Sequence, residues 1–182
     1  VKAGARAKGN IFLLDVLSTA CDLAGIKAPA TSEGISFKPV IEGKKSAVRD
    51  TLYGVYCGGG RPGSRCVKKG DWKLIKYEVE KTGMKHTQLF NLKDNPQEFM
   101  KEHHVSAVMA LTGAKPSPEQ INLASHPKYS NKLKEMESVL LSEMRRHDDP
   151  YRFWNQPDDG LPVPTFREKV KNKRQNRPKK NK

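Results

Sequence analysis

The sequence lacks the long apolar runs and the cysteine pattern that define several large classes of protein. No stretch approaches the run of about 18 apolar residues that a membrane helix needs, because Asp15 interrupts the longest candidate, residues 11–17. Three cysteines among 182 residues are too few for a disulfide framework, and none has the CxxC or Cys/His spacing of a zinc site. The sequence therefore excludes a membrane-spanning helix, a disulfide-rich scaffold and a zinc module.

Motifs of complete active sites are missing as well. The chain contains no GxSxG, HExxH or Walker loop, and no pair of carboxylates at a spacing that demands catalysis. A run of three glycines, residues 58–60, is followed by Arg61 and Arg65. Backbone N–H groups and guanidinium forks of this kind bind sulfate, phosphate or carboxylate. A solvated hairpin tip is the alternative interpretation of the same residues.

Negative charge is scarce, since 20 acidic residues face 34 lysines and arginines and leave a net charge of +14. The excess is concentrated in residues 167–182, where nine basic residues accompany one acid, Glu168. This tail has no interleaved aromatic residues and no helical period, so we expect a disordered, solvated segment and no nucleic-acid site. Binding to an anionic partner through counterion release stays open as the alternative.

Two kinds of periodicity divide the rest of the chain. Apolar residues recur every three or four positions within residues 10–25, which predicts a short helix that ends at Gly25, with Asp15 as a candidate cap of its first turn. Runs typical of β-strands follow over residues 51–57, 64–69, 72–79 and 86–92. Because the short turns between these runs allow only antiparallel pairing of neighbours, we expect a four-stranded meander.

A long amphipathic helix is predicted over residues 130–147, and it supplies the cover that one face of the sheet needs. The Asp148, Asp149 and Pro150 that follow mark its end. The next aromatic residues represent too much apolar area to leave in water, so we expect them to fold back on the sheet or on a missing partner. The predicted fold class is therefore α+β. The apolar face of the helix consists of Leu133, Met136, Leu140, Leu141 and Met144, and the aromatic residues are Tyr151, Phe153 and Trp154.

The cysteines leave two interpretations open. Cys57 and Cys66 flank the eight residues of segment 58–65, and each lies beside a strand-like run. Facing each other across a hairpin, they form either a disulfide, which fits an exported protein, or two unpaired thiols, because spacing does not supply the required Cβ separation. Cys21 is expected to be a small core residue.

Four segments, taken in order, resemble the C-terminal part of a bacterial sulfatase. Sulfatases show a helix that ends in Ala-Gly, a G-x-S-x-x-P-x-x-x-G segment, an R-(D/E)-x-x-Y strand start, a G-x-(W/Y)-K-L-I strand pair and an L-(Y/F)-(D/N)-L-x-x-D-P-x-E turn. Ser18 replaces the usual proline of the helix and Asn95 the usual aspartate of the turn. The resemblance covers about residues 8–155. The segments are DVLSTACDLAGI, EGISFKPVIEGKKSAVRDTLYG, RCVKKGDWKLIKY and TQLFNLKDNPQE.

The resemblance implies a sulfuric ester hydrolase, arylsulfatase-like and of the alkaline phosphatase-like superfamily, as the parent protein. In this family the Cys or Ser of a CxPxR or SxPxR segment becomes formylglycine, and the calcium ligands also lie in the N-terminal half. Neither set is present in this sequence. The resemblance therefore implies calcium and formylglycine as cofactors of the complete enzyme, no catalytic or metal-binding residue in this chain, and no activity of this chain alone.

The resemblance also divides the chain. Residues 1–48 correspond to the end of the large α/β domain and a connector, residues 49–157 to the C-terminal subdomain, and residues 158–182 to a basic tail that we expect to be disordered. Loops of this subdomain often reach the substrate pocket of sulfatases. The implied substrate is a sulfated small molecule or a sulfated glycan, and the implied partner is the N-terminal domain of the same protein. The candidate substrate-binding residues are Tyr56, Arg61 and Arg65.

Location and context are expectations from the same resemblance, which implies a periplasmic or extracellular protein. The chain begins at Val1 and not at Met, so we expect the natural N-terminus to lie upstream, where a signal peptide cannot be observed. Without the large domain, the apolar face of the first helix loses its partner, and the chain alone should aggregate or be molten. A stand-alone anion- or nucleic-acid-binding module, built on the tail and the Gly/Arg loop, is the alternative from a different functional class.

Overall fold

A short helical segment, a four-stranded sheet and a long helix follow one another along the chain. The computed structural model describes residues 4, 6–7, 9–57, 62–100, 106–113, 115 and 117–157. The helices are α1 (Asp15–Leu23), α2 (Lys38–Ile41), α3 (Ser106–Thr112) and α4 (Ser130–Arg146), and the strands are β1 (Thr51–Tyr56), β2 (Pro62–Lys69), β3 (Trp72–Val79) and β4 (Met84–Asn91). Two turns of 3-10 helix, Leu123–Ser125 and Pro127–Tyr129, lead into α4.

The sheet is a meander in which neighbours in sequence are neighbours in space, in the order β1-β2-β3-β4, and every pair is antiparallel. The turn between β2 and β3 consists of Gly70 and Asp71, with Lys69 paired to Trp72. Gly70 has a φ of +55°, a conformation that favours glycine. The predicted α+β class and the four strands are confirmed. β2 and β4 each begin two residues earlier than predicted, because Pro62 and Met84 both pair with Val79.

The core lies between one face of the sheet and α4. The register aligns Tyr53, Val67, Leu74 and Leu89 in one row across all four strands. All four are buried, and they pack in one cluster with the apolar face of α4. Because side chains alternate between the two faces of a strand, this row sends one residue of each strand toward the helix. The face of α4 in that cluster consists of Met136, Leu140 and Met144.

The segment after α4 turns back onto the sheet, as the sequence predicts. Phe153 is 6% exposed and belongs to the core, whereas Trp154 packs edge-on against it and stays 37% exposed. Both rings lie near the ammonium group of Lys76, at 5.9 and 5.0 Å from the ring centroids. The C-terminal segment therefore completes the core, and α4 is one part of its cover.

The α1 helix packs on this chain through its polar side, whereas the sequence predicts that its apolar side is buried. Its buried residues include the polar Asp15, Ser18 and Thr19, and only Cys21 of its apolar residues is buried. The first residue before the helix is Leu14 and no side chain caps it, so the prediction of Asp15 as a cap is wrong. The helix ends before Gly25, whose φ of +70° provides the predicted stop. Within this chain, α1 packs through its polar side.

The connection between β4 and α4 holds a short helix that the sequence did not predict, α3. Asn122, in the segment that follows α3, binds the open edge of the sheet: its side-chain oxygen accepts from the backbone N–H of Leu89 at 3.0 Å and its amide donates to the carbonyl of Thr87 at 2.8 Å. An edge strand presents unpaired backbone groups of this kind. One asparagine thus covers part of the β4 edge.

Candidate functional site

The end of the β1–β2 hairpin carries the substrate-binding residues predicted from the sequence. Tyr56 is the last residue of β1 and is 65% exposed, whereas Arg65 of β2 is 2% exposed. The alternation of side chains along β2 explains the burial of Arg65, since it lies two residues before the core residue Val67 and therefore on the same face of the strand. Arg61 and the glycine run of residues 58–60 lie outside the described residues.

The buried Arg65 forms a two-pronged ion pair with Asp149. Its Nε donates to Oδ2 at 2.9 Å and its Nη2 donates to Oδ1 at 3.1 Å. Asp149 lies three residues after Arg146, the last residue of α4, and its backbone N–H donates to the carbonyl of Met144 at 2.8 Å. The residue just before Asp149, Asp148, has a φ of +49°. The chain therefore reverses at the end of α4 and brings this carboxylate under the hairpin.

Two further hydrogen bonds reach the carboxylate of Asp149, and one ring contact involves its partner Arg65. The hydroxyl of Tyr53 donates to Oδ2, and the backbone N–H of Tyr151 donates to Oδ1 at 3.0 Å. The guanidinium carbon of Arg65 lies 4.0 Å from the centroid of the Tyr151 ring. We call Tyr53, Arg65, Asp149 and Tyr151 the Asp149 network. It joins β1, β2 and the C-terminal segment at one point.

The network extends to the surface through Cys57. The Nη1 of Arg65 donates to Cys57 Sγ at 3.7 Å, and Cys57 is exposed. On the opposite side, the Tyr53 ring stacks on His147 with 5.4 Å between the centroids. The chain around Tyr56 is therefore held at Tyr53, three residues before it, and at Cys57, which follows it.

Electrostatics keeps the Asp149 network in one protonation state. Burial alone would raise the pKa of the Asp149 carboxyl, but the hydrogen bonds from Arg65 and Tyr53 outweigh burial and lower that pKa. Burial works against the charge of Arg65 too, and Asp149 more than compensates and raises the Arg65 pKa. Burial and the adjacent carboxylate both raise the pKa of Tyr53. Near neutral pH the network holds an ion pair and a neutral phenol, which suits a scaffold and does not suit proton transfer.

Sequence reasoning missed Asp149, which it interpreted only as part of a helix stop. A signal for its role exists in β2: the alternation that buries Val67 also buries Arg65, and a buried guanidinium needs an anionic partner. The pattern does not tell which of the acidic residues that partner is. The fork of Arg65 is bound to Asp149, and its role in binding substrate stays a prediction.

The cysteines do not face each other. In the β1–β2 register, Cys66 is opposite Gly54, while Cys57 lies beyond the end of β1. The expectation that Cys57 and Cys66 face each other is therefore wrong, and no disulfide joins any of the three cysteines, all of which are described. A Cβ at position 54 would lie 2.9 Å from Cys66 Sγ, so this thiol fills the space that glycine leaves. Cys21 is 8% exposed, as predicted for a core residue.

A second buried ion pair lies at the start of the sheet. Arg49 donates to Asp15 twice, from Nε to Oδ2 at 2.8 Å and from Nη2 to Oδ1 at 2.6 Å. The same carboxylate accepts the backbone N–H groups of Phe12 and Ile35, both at 2.8 Å. These bonds lower the Asp15 pKa despite complete burial of the side chain. Asp15 thus joins α1, the connector and the entry to β1.

The other side of α1 is an apolar surface open to solvent. Leu13 is 88% exposed and Leu17 is 52% exposed. Several neighbouring apolar side chains on the same segment are also exposed, which is unusual for a stretch this rich in leucine. We call this set the α1 surface, and it consists of Leu13, Leu14, Val16, Leu17 and Leu23.

A cavity of about 290 Å³ lies between α4 and residues 153–157. Lys76 lines it, with its ammonium group 2.6 Å from Glu137 and 2.7 Å from the side-chain oxygen of Asn155. The lysine charge is therefore compensated inside the chain. No member of the Asp149 network lines this cavity, so the cavity is separate from the candidate site.

The donor groups of the residues that the structure describes do not fit a metal ion, and the sequence offers no site for a formylglycine. In the described part, no group of three or more His, Cys, Asp and Glu side chains comes together to hold a metal ion. None of the three cysteines begins a CxPxR segment. Among the residues that the structure describes, no helix is both long and apolar enough to cross a membrane.

A family model described as "N-sulphoglucosamine sulphohydrolase, C-terminal" matches residues 1–113, which is more than half of the chain. The chain belongs to this family of sulfatase C-terminal domains. The match contains α1, the four strands and the segments that carry the resemblance to sulfatases, which is thereby confirmed. The α4 helix and Asp149 follow the matched residues, so the Asp149 network ties later residues to the family domain.

Three curated relatives of this sulfatase domain are described as sulfatases. The chain is 32% identical over 144 residues to a Delta 4,5-hexuronate-2-O-sulfatase of Bacteroides thetaiotaomicron, covering 76% of this chain and 24% of the relative. It is 25% identical over 165 residues to an arylsulfatase of Clostridium perfringens, covering 88% and 29%. It is 27% identical over 157 residues to an ulvan-active sulfatase of Formosa agariphila, covering 82% and 32%. The chain thus spans a quarter to a third of the length of these sulfatases.

Among solved structures, the sulfatase domain is similar to one described under the metabolism of multiple glycosaminoglycans by Bacteroides thetaiotaomicron. The TM-score is 0.40 and the identity 20%, with 75% of this chain and 29% of the other covered.

Proposed function

We propose that the protein carrying this chain is a sulfatase, a hydrolase that cleaves sulfate esters, and that this chain forms part of its C-terminal region. The observation that carries the proposal is the family match over residues 1–113. Three curated relatives that are described as sulfatases support it. The α+β architecture agrees with the resemblance, which implies the same strands and long helix.

Residues outside this chain supply the formylglycine nucleophile and the calcium ion in this proposal. The donor groups of the described residues do not fit a calcium ion, and none of the three cysteines begins a CxPxR segment. When present, the two supply a nucleophile for the sulfur and positive charge for the sulfate oxygens, which is the type of charge stabilisation expected to dominate such a reaction. The role of this chain is to complete the binding site and to support the catalytic body, and we expect no turnover from the chain alone.

The substrate proposed is a sulfated glycan, with a sulfated small molecule as the simpler case. Two relatives are named for a carbohydrate, one for a hexuronate and one for ulvan. The net charge of +14 suits a polyanionic substrate, because a positive field raises its encounter rate. Within the described residues, the exposed Tyr56 at the end of β1 is the substrate-side candidate, and Arg61 and Arg65 complete the proposed set.

The α1 surface is proposed to pack on the N-terminal domain of the same protein. Its exposed leucines follow from the polarity of α1, which uses its polar side to bind this chain. This arrangement supports the division into residues 1–48, which belong to the large domain and connector, and residues 49–157, which form the C-terminal subdomain. A periplasmic or extracellular location is part of the same proposal.

Expression of the complete open reading frame that contains this chain tests the proposed function. We expect the purified protein to release sulfate from an aryl sulfate or from sulfated uronic-acid glycans, and a chelator to reduce the rate. Replacing the upstream formylglycine precursor by Ala should abolish turnover, and this variant is the matched control. No sulfate release from any of these substrates, or turnover by the 182-residue chain alone, would contradict the proposal.

A binding assay separates this proposal from the stand-alone binding module. If the chain were such a module, DNA or heparin would bind in a salt-dependent manner and deletion of residues 167–182 would abolish binding. Under the sulfatase proposal, the same deletion in the complete protein leaves sulfate release from a small aryl sulfate unchanged.

A further inference from the structure

The Asp149 network lies directly beneath the surface residues at the end of the β1–β2 hairpin. Arg65 and Asp149 are 84 residues apart in sequence and are both nearly inaccessible, with 2% and 6% of their side chains exposed. Arg65 also donates to the thiol of Cys57, the first residue after β1. The buried Arg65–Asp149 pair is therefore linked to an exposed residue, Cys57.

Tyr56 is held from the other strand as well. Gly63 has a φ of +81°, and a Cβ at this position would lie 2.2 Å from the carbonyl oxygen of Tyr56. The two backbones therefore approach each other closely. With Tyr53 bonded to Asp149 on one side and Cys57 bonded to Arg65 on the other, the backbone of Tyr56 is held on both sides.

We propose that Asp149 is a positioning residue, which fixes Tyr53 and Arg65 and through them holds Tyr56 and Cys57 in place for substrate binding. The part that concerns substrate rests on the proposed function. Asp149 touches neither surface residue and acts through the two side chains that it binds. A bidentate pair is suited to this task, because its two parallel bonds define the orientation of the guanidinium as well as its distance. A positioning error of the order of one ångström is sufficient to weaken substrate binding.

The test uses Asp149→Asn in the complete protein, with two measurements. Site-resolved alkylation by iodoacetamide reports on Cys57, and the partly buried Cys66 in the same hairpin serves as the internal reference. We expect alkylation of Cys57 to become about fivefold faster, because its neighbouring guanidinium loses its anchor. We expect KM for a sulfate ester to rise about tenfold while kcat stays within about twofold, since the reacting groups lie elsewhere.

Two further variants keep the test decisive. Tyr53→Phe removes one hydrogen bond to Asp149 and leaves the ion pair intact, so it should fold and should change both measurements in the same direction by a smaller factor. Asp15→Asn breaks the other buried Arg–Asp pair and is the matched control. It should lower the melting temperature and leave the alkylation of Cys57 unchanged, which separates loss of position from loss of stability.

The results for Asp149→Asn distinguish failure of the positioning role from failure of the proposed function. Unchanged alkylation of Cys57 in folded Asp149→Asn, or in Tyr53→Phe if the first variant does not fold, overturns the positioning role. Faster alkylation with an unchanged KM overturns the assignment of this strand end to the substrate. A complete protein that cleaves no sulfate ester contradicts the proposed function instead, and the alkylation rates then still decide whether Asp149 positions the hairpin.

Discussion

Asp15 and Arg49 lie 34 residues apart and form a two-pronged buried ion pair, with N–O distances of 2.8 and 2.6 Å. Their bond decides how α1 sits in this chain. Because the carboxylate points toward the connector and the start of β1, the polar side of the helix turns inward and the leucines turn outward. Together with the hydrogen bonds of Ser18 and Thr19 to the connector, this ion pair attaches α1 by its polar side and leaves the α1 surface exposed.

Breaking this pair from one side should destabilise the protein strongly. Arg49→Met leaves the fully buried Asp15 without its cation, and the loss should be about 3 to 5 kcal/mol in the free energy of unfolding. Urea unfolding of the complete protein measures it. The double variant Asp15→Leu with Arg49→Met should recover part of the loss, since no charge then stays buried. Glu42→Gln, which removes an exposed ion pair with Lys44, is the control and should have no measurable effect.

Stability should fall in acid because of the buried carboxylates. The folded state lowers the pKa of Asp15 and of Asp149. A carboxyl whose folded pKa lies below its unfolded value, about 3.9, stabilises the protein above that pH and loses this contribution as pH falls toward the folded pKa. We expect these two groups to add no pH dependence between about pH 5 and 7 and a decline below about pH 4. Melting temperatures across this range test it, and a smaller decline in Asp15→Asn than in the unchanged protein is required.

The α1 surface should control the solubility of the 182-residue chain on its own. We expect this chain to self-associate or to unfold without cooperativity, because its exposed leucines have no partner. Leu13→Ser with Leu17→Ser should raise the monomer fraction in analytical ultracentrifugation. Leu111→Ser changes a leucine that is 87% exposed on α3 and is the matched control, with no expected gain. A monomeric unchanged chain with a sharp melting transition would show that the α1 surface needs no cover.

Gly34 should tolerate no side chain. A Cβ at this position would lie 2.2 Å from the carbonyl oxygen of Leu14 and 2.9 Å from Ser18 Oγ, so the connector would have to move away from α1. We expect Gly34→Ala to destabilise the complete protein by about 1 to 3 kcal/mol. Gly43→Asn is the control, since its left-handed φ of +74° suits Asn and nothing lies within 4 Å of its Cβ. Equal melting temperatures for the two variants would disprove this account.

Substitution of the substrate-side residues should separate their roles. Tyr56→Ala and Arg61→Ala in the complete enzyme should raise KM more than they lower kcat, because they would remove binding and no reacting group. Arg65→Ala should do the same and should also lower the melting temperature, since it leaves Asp149 buried without its cation. Unchanged kinetics in all three variants would reject the assignment of these residues to the substrate.

Much of the architecture could be predicted from local patterns. The two-residue period of the β-type runs and the turn at Gly70 predict four antiparallel strands, and the apolar face of α4 predicts the cover of the core. The same period contains the information that Arg65 shares a face with Val67. It carries no information on the acid that meets Arg65, because that partner arrives only when the end of α4 folds back.

The sequence by itself determined the strand order and the long helix, since these depend on the period and spacing of residues along the backbone, and the resemblance of four of its segments indicated the sulfatase family. Only the tertiary structure decided that Asp149 binds Arg65, that Asp15 binds Arg49 instead of capping α1, and that Cys66 lies opposite Gly54. The physical reason is that a buried charge gains its stability from a partner brought close by packing. The partners in these pairs are 34 and 84 residues apart in sequence, so no local sequence pattern predicts that they come together.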